Sequence, residues 1–179
     1  IKMPVVFVNI GGISNLTFVD KNDEMISFDS GPGNFLIDKL LQLKSNDRIQ
    51  FDENGEIAFK GRVNRSVLNT YLSDSYFDLF PPKSLDVNDF KLNPIRDLSF
   101  EDSIATLSEL TALTIANSLN FFSNKPNEII LCGGGRKNKY IYERIKKISN
   151  ILTSNIDGYK INGDFIESQA FAYLAVRSF

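Results

Sequence analysis

A glycine-centred turn near the start of the chain has the residue types that hold phosphate oxygens. Gly11 and Gly12 lie between two short apolar runs, and Ser14 and Asn15 follow them. Two adjacent glycines let backbone N–H groups converge closely on a ligand, and the serine and asparagine side chains add donors. A Gly-Gly pair is also typical of an ordinary β-hairpin turn. The local pattern therefore leaves both interpretations open.

Three further turns of small residues have related chemistry. Residues 31–34 (Gly-Pro-Gly-Asn) come directly before a helical pattern, where glycines would expose the N–H groups of a helix N-terminus to an anion. Residues 133–135 are three glycines, which would let an adenine or ribose lie against the backbone. Both runs also fit plain strand-to-helix turns. Lys83, in the Pro-Pro-Lys-Ser run, fits either a phosphate contact or an exposed loop lysine.

Two carboxylates fit either a ligand role or a structural one. Asp29 ends a strand pattern beside a glycine turn, where it could hold magnesium through water or cap the helix that begins after Asn34. Glu167 follows Asp164 by three residues, which is the interval of a capping box. The residues alone leave a purely structural Glu167 open.

Composition excludes several classes of function. The 179 residues are 42% hydrophobic, which suffices for the core of one domain. A net charge of -2, from 20 basic and 22 acidic side chains spread along the chain, predicts neither a nucleic-acid partner nor a membrane partner. The chain has no histidine, which excludes a Ser-His-Asp triad, a Cys-His pair and a histidine-ligated zinc site.

The cysteine count and the chain's first residues bear on compartment and completeness. Cys132 has no partner cysteine, so a disulfide within the chain is impossible and a reducing compartment is expected. No apolar run approaches the roughly 20 residues of a membrane-spanning helix, and no signal-peptide pattern opens the chain. We therefore predict a cytoplasmic protein. Because the chain begins at Ile1 with a strand pattern almost at once, we also expect it to be a piece of a longer polypeptide.

The order of the secondary-structure patterns predicts the fold class. Three strand patterns open the chain as an antiparallel meander, at 5–9, 15–20 and 25–29. A helix is predicted at 35–43, followed by a mostly polar insertion at about 44–98 with a helix around Val67. A Ser99-x-x-Asp102 capping box then precedes a long helix at 103–122, and a strand follows at 128–132. The remaining patterns are a helix after Asn138, a short strand at 150–155 and a final helix capped by Asp164. The chain is thus predicted to be one α/β domain, residues 1–179, with a ribonuclease H-like plan: a three-strand meander extended by parallel strands, with helices on the sheet. Such a domain is one half of an actin-like ATPase fold.

Six motifs occur in order along nearly the whole chain. They are NIGGISNLT at 9–17, FDSGPGN at 28–34, PPKS at 81–84, ATLSELTA at 105–112, CGGGRKN at 132–138 and GDFIESQAFAYLA at 163–175. Together they resemble the anhydro-N-acetylmuramic acid kinase family, with NIGGISNLT and DSGPGN as the specific motifs and CGGG as a generic one. The resemblance implies a cytoplasmic two-domain transferase of peptidoglycan turnover and amino-sugar metabolism. Such a kinase uses ATP and Mg²⁺ to hydrolyse the anhydro bond of 1,6-anhydro-N-acetylmuramic acid and phosphorylate O6, giving N-acetylmuramic acid 6-phosphate.

Roles for individual positions follow from the same resemblance. The implied phosphate-binding residues are Gly11, Gly12, Ser14, Asn15, Gly31, Gly33 and Asn34, with Lys83 of the PPKS run as a further candidate; the implied adenosine-side residues are Gly133, Gly134, Gly135 and Asn138. Glu167 matches a family glutamate near the sugar. Asp29 is the candidate for a magnesium contact through water. Phe165 stands where the family usually has an acidic residue, and Leu85-Asp86 follow PPKS where many members have Thr-Gly.

The resemblance covers only the carboxy-terminal domain of the family. The first phosphate loop, the sugar-binding residues and the aspartate that acts as general base would precede Ile1. Phosphoryl transfer needs positioning and charge neutralisation from both sides of the nucleotide, so the chain alone is predicted to be inactive. Its expected partners are ATP, the anhydro-amino-sugar and an amino-terminal kinase domain, and an uncovered apolar surface is expected to favour self-association. The rival hypothesis is a non-catalytic ATP-binding or interaction remnant of such a kinase.

Overall fold

A computed structural model of the chain has a five-stranded mixed sheet in the order β3-β2-β1-β4-β5. It describes residues 1–22 and 24–177, except the side chains at 167, 170, 171 and 174. The strands are β1 (Val5–Ile10), β2 (Ile13–Val19), β3 (Met25–Pro32), β4 (Glu128–Cys132) and β5 (Leu152–Asn155). β1, β2 and β3 pair antiparallel, whereas β4 runs parallel to both β1 and β5. The predicted meander with a parallel extension is therefore confirmed.

Six α-helices accompany the sheet in the described part of the chain. They are α1 (Phe35–Ser45), α2 (Glu56–Lys60), α3 (Arg65–Leu72), α4 (Phe100–Ser118), α5 (Lys139–Ser149) and α6 (Ile166–Arg177). Side-chain caps define several starts: Ser99 Oγ accepts from Asp102 N at 3.2 Å, and Asn138 Oδ1 accepts from Ile141 N at 3.2 Å. Both residues were predicted as caps from sequence. None of the described helices is long and apolar enough to cross a membrane.

Strand alternation divides the core between the two faces of the sheet. Val6, Val8 and Ile10 of β1 belong to the main core with residues of α1, α4 and α5. The alternate residue Val5 packs with Ile130 and Cys132 in a smaller cluster on the other face. α4 is buried almost all round because it contacts β3 as well as α1, α2, α3 and α5. α4 is therefore the central helix of the layer that packs on the main-core face of the sheet.

The segment between α1 and α4 contains more regular secondary structure than its polar sequence predicts. The predicted loop at 44–61 contains α2, a helix too short for apolar periodicity to reveal. Its start is stabilised by Asp52, whose carboxylate accepts from Ile57 N at 2.8 Å and Ala58 N at 3.0 Å. Its end packs tightly on α4, since a Cβ at Gly61 would lie 2.0 Å from Glu101 O. The segment is thereby attached to the core.

Candidate functional site

The Gly11-Gly12 hairpin connects β1 to β2 and is tied to the start of α1. Its carbonyls accept three backbone hydrogen bonds: Gly11 O from Asn34 N at 2.8 Å, and Gly12 O from Gly33 N at 2.9 Å and Phe35 N at 3.1 Å. The prediction that the N–H groups of Gly33 and Asn34 are free for an anion is therefore wrong. Hairpin carbonyls use them because the two turns pack directly against each other.

Two residues predicted to bind phosphate, Ser14 and Gly31, make close contacts inside the fold. Ser14 is fully buried, and its Oγ lies 2.7 Å from Ser30 Oγ and donates to Gly31 O at 3.1 Å. Its prediction as a side-chain phosphate donor is wrong because strand alternation turns it into the main core. Gly31 lies against α4, where an added Cβ would be 2.7 Å from Thr114 Oγ1. This glycine is thus explained by packing.

Phosphate binding by Asn15 and Gly12 stays a prediction. The pairing of β2 with β3 shifts register between Ser14 and Asn15. Alternation along β2 places Asn15 on the opposite face from Ser14, where it lines a cavity on the face of the sheet opposite α4. The N–H of Gly11 donates to Ile13 O at 3.2 Å within the turn. A Cβ at Gly12 would make ordinary contacts of 3.7 Å and 3.9 Å with Phe35 and Val87, so this glycine is not required by packing.

The three consecutive glycines after β4 have different surroundings. Gly133 has φ +72°, and an added Cβ would lie 2.3 Å from Asn9 Oδ1. A Cβ at Gly135 would lie 2.3 Å from Ile10 Cγ2 and 2.9 Å from Asn34 Nδ2. A Cβ added at Gly134 would meet no heavy atom within 4 Å, apart from those of its own chain neighbours. The outer glycines allow close packing on β1, whereas Gly134 faces open space.

Gly134 lies where two cavities meet. We call the first, of about 580 Å³, the insertion cavity, because residues between α1 and α2 form one wall. Its lining residues are Asn34, Ile37, Asp38, Phe51, Asp52, Glu53, Asn54, Gly134, Gly135, Lys137 and Asn138. The second, of about 630 Å³, is the sheet cavity, on the face opposite α4. Its lining residues are Phe7, Asn9, Asn15, Thr17, Cys132, Gly133, Gly134, Arg136, Ile156, Ile161, Gly163, Asp164, Ile166, Ser168 and Gln169.

The charged groups of the insertion cavity differ in how they are paired. The Asp52 carboxylate is occupied by the start of α2, and Lys137 Nζ lies 2.8 Å from Asp164 Oδ1. The carboxyl of Asp38, in the first turn of α1, makes no hydrogen bond or ion pair with any residue in the described part of the chain. Burial raises the pKa of Asp38 to about 6. This cavity therefore contains a partly desolvated carboxyl group that has no partner among the described residues.

Arg136, which lines the sheet cavity, is held by two ion pairs and a hydrogen bond to the glycine turn. Its Nε and Nη2 lie 2.7 Å and 3.0 Å from carboxylate oxygens of Asp157 and Asp164, and its Nη1 donates to Gly133 O at 2.9 Å. These contacts connect the glycine turn to the segment before α6. Hydrogen bonding to Arg136 lowers the pKa of Asp157 to about 2. Sequence reasoning missed this arginine because its two carboxylate partners lie more than twenty residues away.

Lys83 and Asp29 fix a loop against the edge of the sheet. Lys83 Nζ donates to Tyr76 O at 3.2 Å and lies 4.6 Å and 4.7 Å from the ring centroids of Tyr76 and Phe121. Neither predicted environment, phosphate contact or exposed loop, describes this aromatic site. Asp29 Oδ2 accepts from Leu85 N at 2.8 Å, so the interpretation of Asp29 as a cap of α1 is wrong. Its contact with magnesium through water stays a prediction.

Glu167 belongs to α6, but its side chain lies outside the described residues, and its predicted role near a sugar stays a prediction. Asp164, three residues earlier, pairs with Arg136 and Lys137. Asn138 lines the insertion cavity and also caps α5. Among the described residues there is no group of three or more Cys, Asp or Glu side chains that could hold a metal ion.

Comparison with proteins of known structure supports the fold assignment. The activator of the 2-hydroxyisocaproyl-CoA dehydratase from Clostridium difficile, with bound ADPNP, superimposes with a TM-score of 0.54 at 14% identity, covering 87% of this chain and 55% of that chain. A xylulose kinase from Lactobacillus acidophilus gives 0.53 at 12% identity, covering 85% and 35%. At these identities the likeness shows the fold alone. The chain is a single domain corresponding to one half of the actin-like ATPase and sugar-kinase fold.

Sequence comparison gives a closer relationship. The family model of anhydro-N-acetylmuramic acid kinase matches residues 2–179. The anhydro-N-acetylmuramic acid kinases of Caulobacter vibrioides and Pelagibacter ubique are 41% and 42% identical, covering 98% and 99% of this chain but 47% and 49% of their own lengths. The chain thus spans about half the length of the curated relatives it matches. It belongs to the anhydro-N-acetylmuramic acid kinase family.

Proposed function

We propose that this chain is the nucleotide-binding half of an anhydro-N-acetylmuramic acid kinase and acts together with a complementary half. The complete enzyme would transfer the γ-phosphoryl group of ATP to O6 of 1,6-anhydro-N-acetylmuramic acid. Water would add at C1 as the bond between C1 and O6 breaks, giving N-acetylmuramic acid 6-phosphate. This reaction would serve peptidoglycan recycling and amino-sugar metabolism in the cytoplasm.

The observation that carries the proposal is the position of Gly134 between two cavities of ligand size. Small-molecule sites typically occupy about 300–1,000 Å³, and both cavities fall in this range. The adenosine part of ATP would occupy the insertion cavity against residues 134–138. Its phosphates would pass Gly134 toward the sheet cavity, where Asn9 and Asn15 supply polar side chains. The sugar would approach from the complementary half.

The chain's own residues position the nucleotide in this proposal. Arg136 holds the glycine turn by its bond to Gly133 O, while Asn34 N and Gly11 O tie the wall of the insertion cavity to the hairpin. Bound Mg²⁺ would neutralise charge on the phosphates, and Asp29, opposite Asn15 in the β2–β3 register, is the carboxylate that could contact its water shell. The activating base for water would come from the complementary half.

The chain alone is expected to produce no sugar phosphate. The general base assigned by the family resemblance is not among its motifs, and charge stabilisation would come from only one side of the nucleotide. Incubation with Mg-ATP and 1,6-anhydro-N-acetylmuramic acid, followed by mass spectrometry for N-acetylmuramic acid 6-phosphate, tests this. Addition of the complementary half of the Caulobacter vibrioides relative is expected to restore product. Turnover by the 179-residue chain without that half would contradict the prediction.

Calorimetric titration of Mg-ATP into the chain, alone and mixed with the complementary half, tests the proposed function directly. We expect saturable binding at one site per chain. Absence of binding under both conditions would overturn the proposal. The rival, a non-catalytic remnant, is distinguished by the mixture: binding of ATP without any sugar phosphate in the presence of the complementary half would favour the remnant.

A further inference from the structure

We propose that Asp38 recognises the ribose hydroxyls of the nucleotide, so that the insertion cavity selects ribonucleotides over 2′-deoxyribonucleotides. This inference rests on the proposed function, since it specifies the ligand of the same cavity. It assigns a role to a residue that none of the six motifs singled out as a ligand.

The position of Asp38 fits the middle of a bound nucleotide. Asp38 N donates to Asn34 O at 2.8 Å, so the two residues are one helical turn apart, about 6 Å along the axis of α1. Asn34 is bonded to the phosphate-side hairpin through its backbone N–H. Phe51, which lines the same cavity, is 62% exposed and offers a flat apolar ring to a base. Asp38 therefore lies one helical turn from a residue bonded to the phosphate-side hairpin, in a cavity that also offers an aromatic ring to a base.

The chemistry of a carboxylate selects the ribose among the three parts of a nucleotide. An ionised carboxylate only accepts hydrogen bonds, and it has two oxygens to do so. Phosphate oxygens are negatively charged and would be repelled. The ring nitrogens of adenine are mostly acceptors, with a single exocyclic amine as donor. The 2′- and 3′-hydroxyls are two adjacent donors, which match the two oxygens of one carboxylate.

The surroundings leave the Asp38 carboxyl available for this role. Asp52 is occupied by the start of α2 and Lys137 by Asp164, whereas Asp38 has no partner among the described residues. Burial without a partner disfavours the charged form, in agreement with the raised pKa of Asp38. Hydrogen bonds from ribose hydroxyls would replace the water that burial removes. Glu53 also lines the cavity but is exposed to solvent, so its hydroxyl contacts would compete with water.

The experiment compares ATP with 2′-deoxy-ATP on the wild-type chain, on Asp38→Asn and on Glu53→Gln, by calorimetry in the presence of the complementary half. A hydrogen bond to a charged group predicts that wild type binds ATP about tenfold or more tightly than 2′-deoxy-ATP. Asp38→Asn should bind ATP about tenfold more weakly and lose most of this preference. Glu53→Gln removes a charge from the same cavity and should retain both affinity and preference.

Each outcome separates this inference from the proposed function. Equal binding of the two nucleotides by wild type, or a preference that persists in Asp38→Asn, would overturn the role of Asp38 and leave the proposed function standing. Failure of wild type to bind either nucleotide would overturn both. The wild-type comparison needs no variant, so it decides the question even if Asp38→Asn does not fold. Circular dichroism of both variants checks that they do.

Discussion

Gly134→Leu is expected to weaken ATP binding about a hundredfold or more, while the free energy of unfolding changes by less than about 1 kcal/mol. A Cβ at Gly134 meets no heavy atom within 4 Å beyond its neighbours, so the folded domain has room for a larger side chain. Gly134 also lines both cavities. A leucine there would occupy the space through which the proposed phosphate chain passes.

Gly158→Leu is the matched control for this variant. Gly158 likewise has nothing within 4 Å of an added Cβ and lies in a short 3₁₀ helix, as Gly134 does, but it lines neither cavity. Calorimetric titration gives the affinities, and urea unfolding gives the stabilities. Near-normal ATP affinity in Gly134→Leu would place the nucleotide elsewhere. A large loss of stability in Gly134→Leu but not in Gly158→Leu would show that the glycine is required for folding.

Arg136→Ala is expected to lower the free energy of unfolding by about 2–3 kcal/mol at neutral pH. The guanidinium side chain is only 3% exposed and pairs with both Asp157 and Asp164. Its removal also leaves Gly133 O without this donor. The two carboxylates are about half exposed, at 47% and 50%, so water compensates part of the loss and the effect should lie at the low end for a buried pair.

Lys137→Ala provides the comparison for Arg136→Ala. Lys137 pairs with the same Asp164, but its side chain is 61% exposed, so its loss should cost less than about 1 kcal/mol. Urea unfolding of the two variants and wild type measures the difference. Equal effects of the two substitutions would mean that the burial of Arg136 contributes nothing, which would contradict the interpretation of Arg136 as the residue that holds the glycine turn.

The Arg136 contact also predicts how stability changes with pH. Because the pKa of Asp157 in the folded state is lowered to about 2 from its ordinary value of 3.8, its ion pair stabilises the fold fully above that ordinary value. This contribution is lost as pH falls through the range between the two values. Wild type should therefore lose more stability than Arg136→Ala between about pH 5 and about pH 2. Parallel pH profiles of the two proteins would contradict this.

Local sequence was sufficient to predict most of the elements and their order. The meander follows from three short β-branched runs separated by turn residues, and Ser99 and Asn138 act as helix caps at the predicted positions. These features depend on neighbours within a few residues, so a single sequence contains the needed information. Boundaries were less accurate: β3 continues through Pro32 because it pairs with β2, and α4 begins at Phe100.

The family motifs predicted a region for the site, but they could not assign individual glycines. Gly31, Gly33, Gly133 and Gly135 all lie where an added Cβ would clash, whereas Gly134 faces open space. Nothing in three consecutive identical residues distinguishes the middle one. The difference arises from β1 and Asn34, which approach the outer two glycines from distant parts of the chain.

Short-range patterns and motifs in a fixed order were sufficient to predict the fold class, the strand order of the meander, the caps at Ser99 and Asn138, and the family. The polar groups that remain available to a ligand could be identified only from contacts between distant segments of the folded chain. Ser14 and the N–H groups of Gly33 and Asn34 are consumed by hydrogen bonds between segments, whereas the carboxyl of Asp38 has no partner among the described residues. A helix cap forms between residues a few positions apart in sequence. The hydrogen bonds of these groups instead depend on segments that are far apart in sequence and come together only on folding.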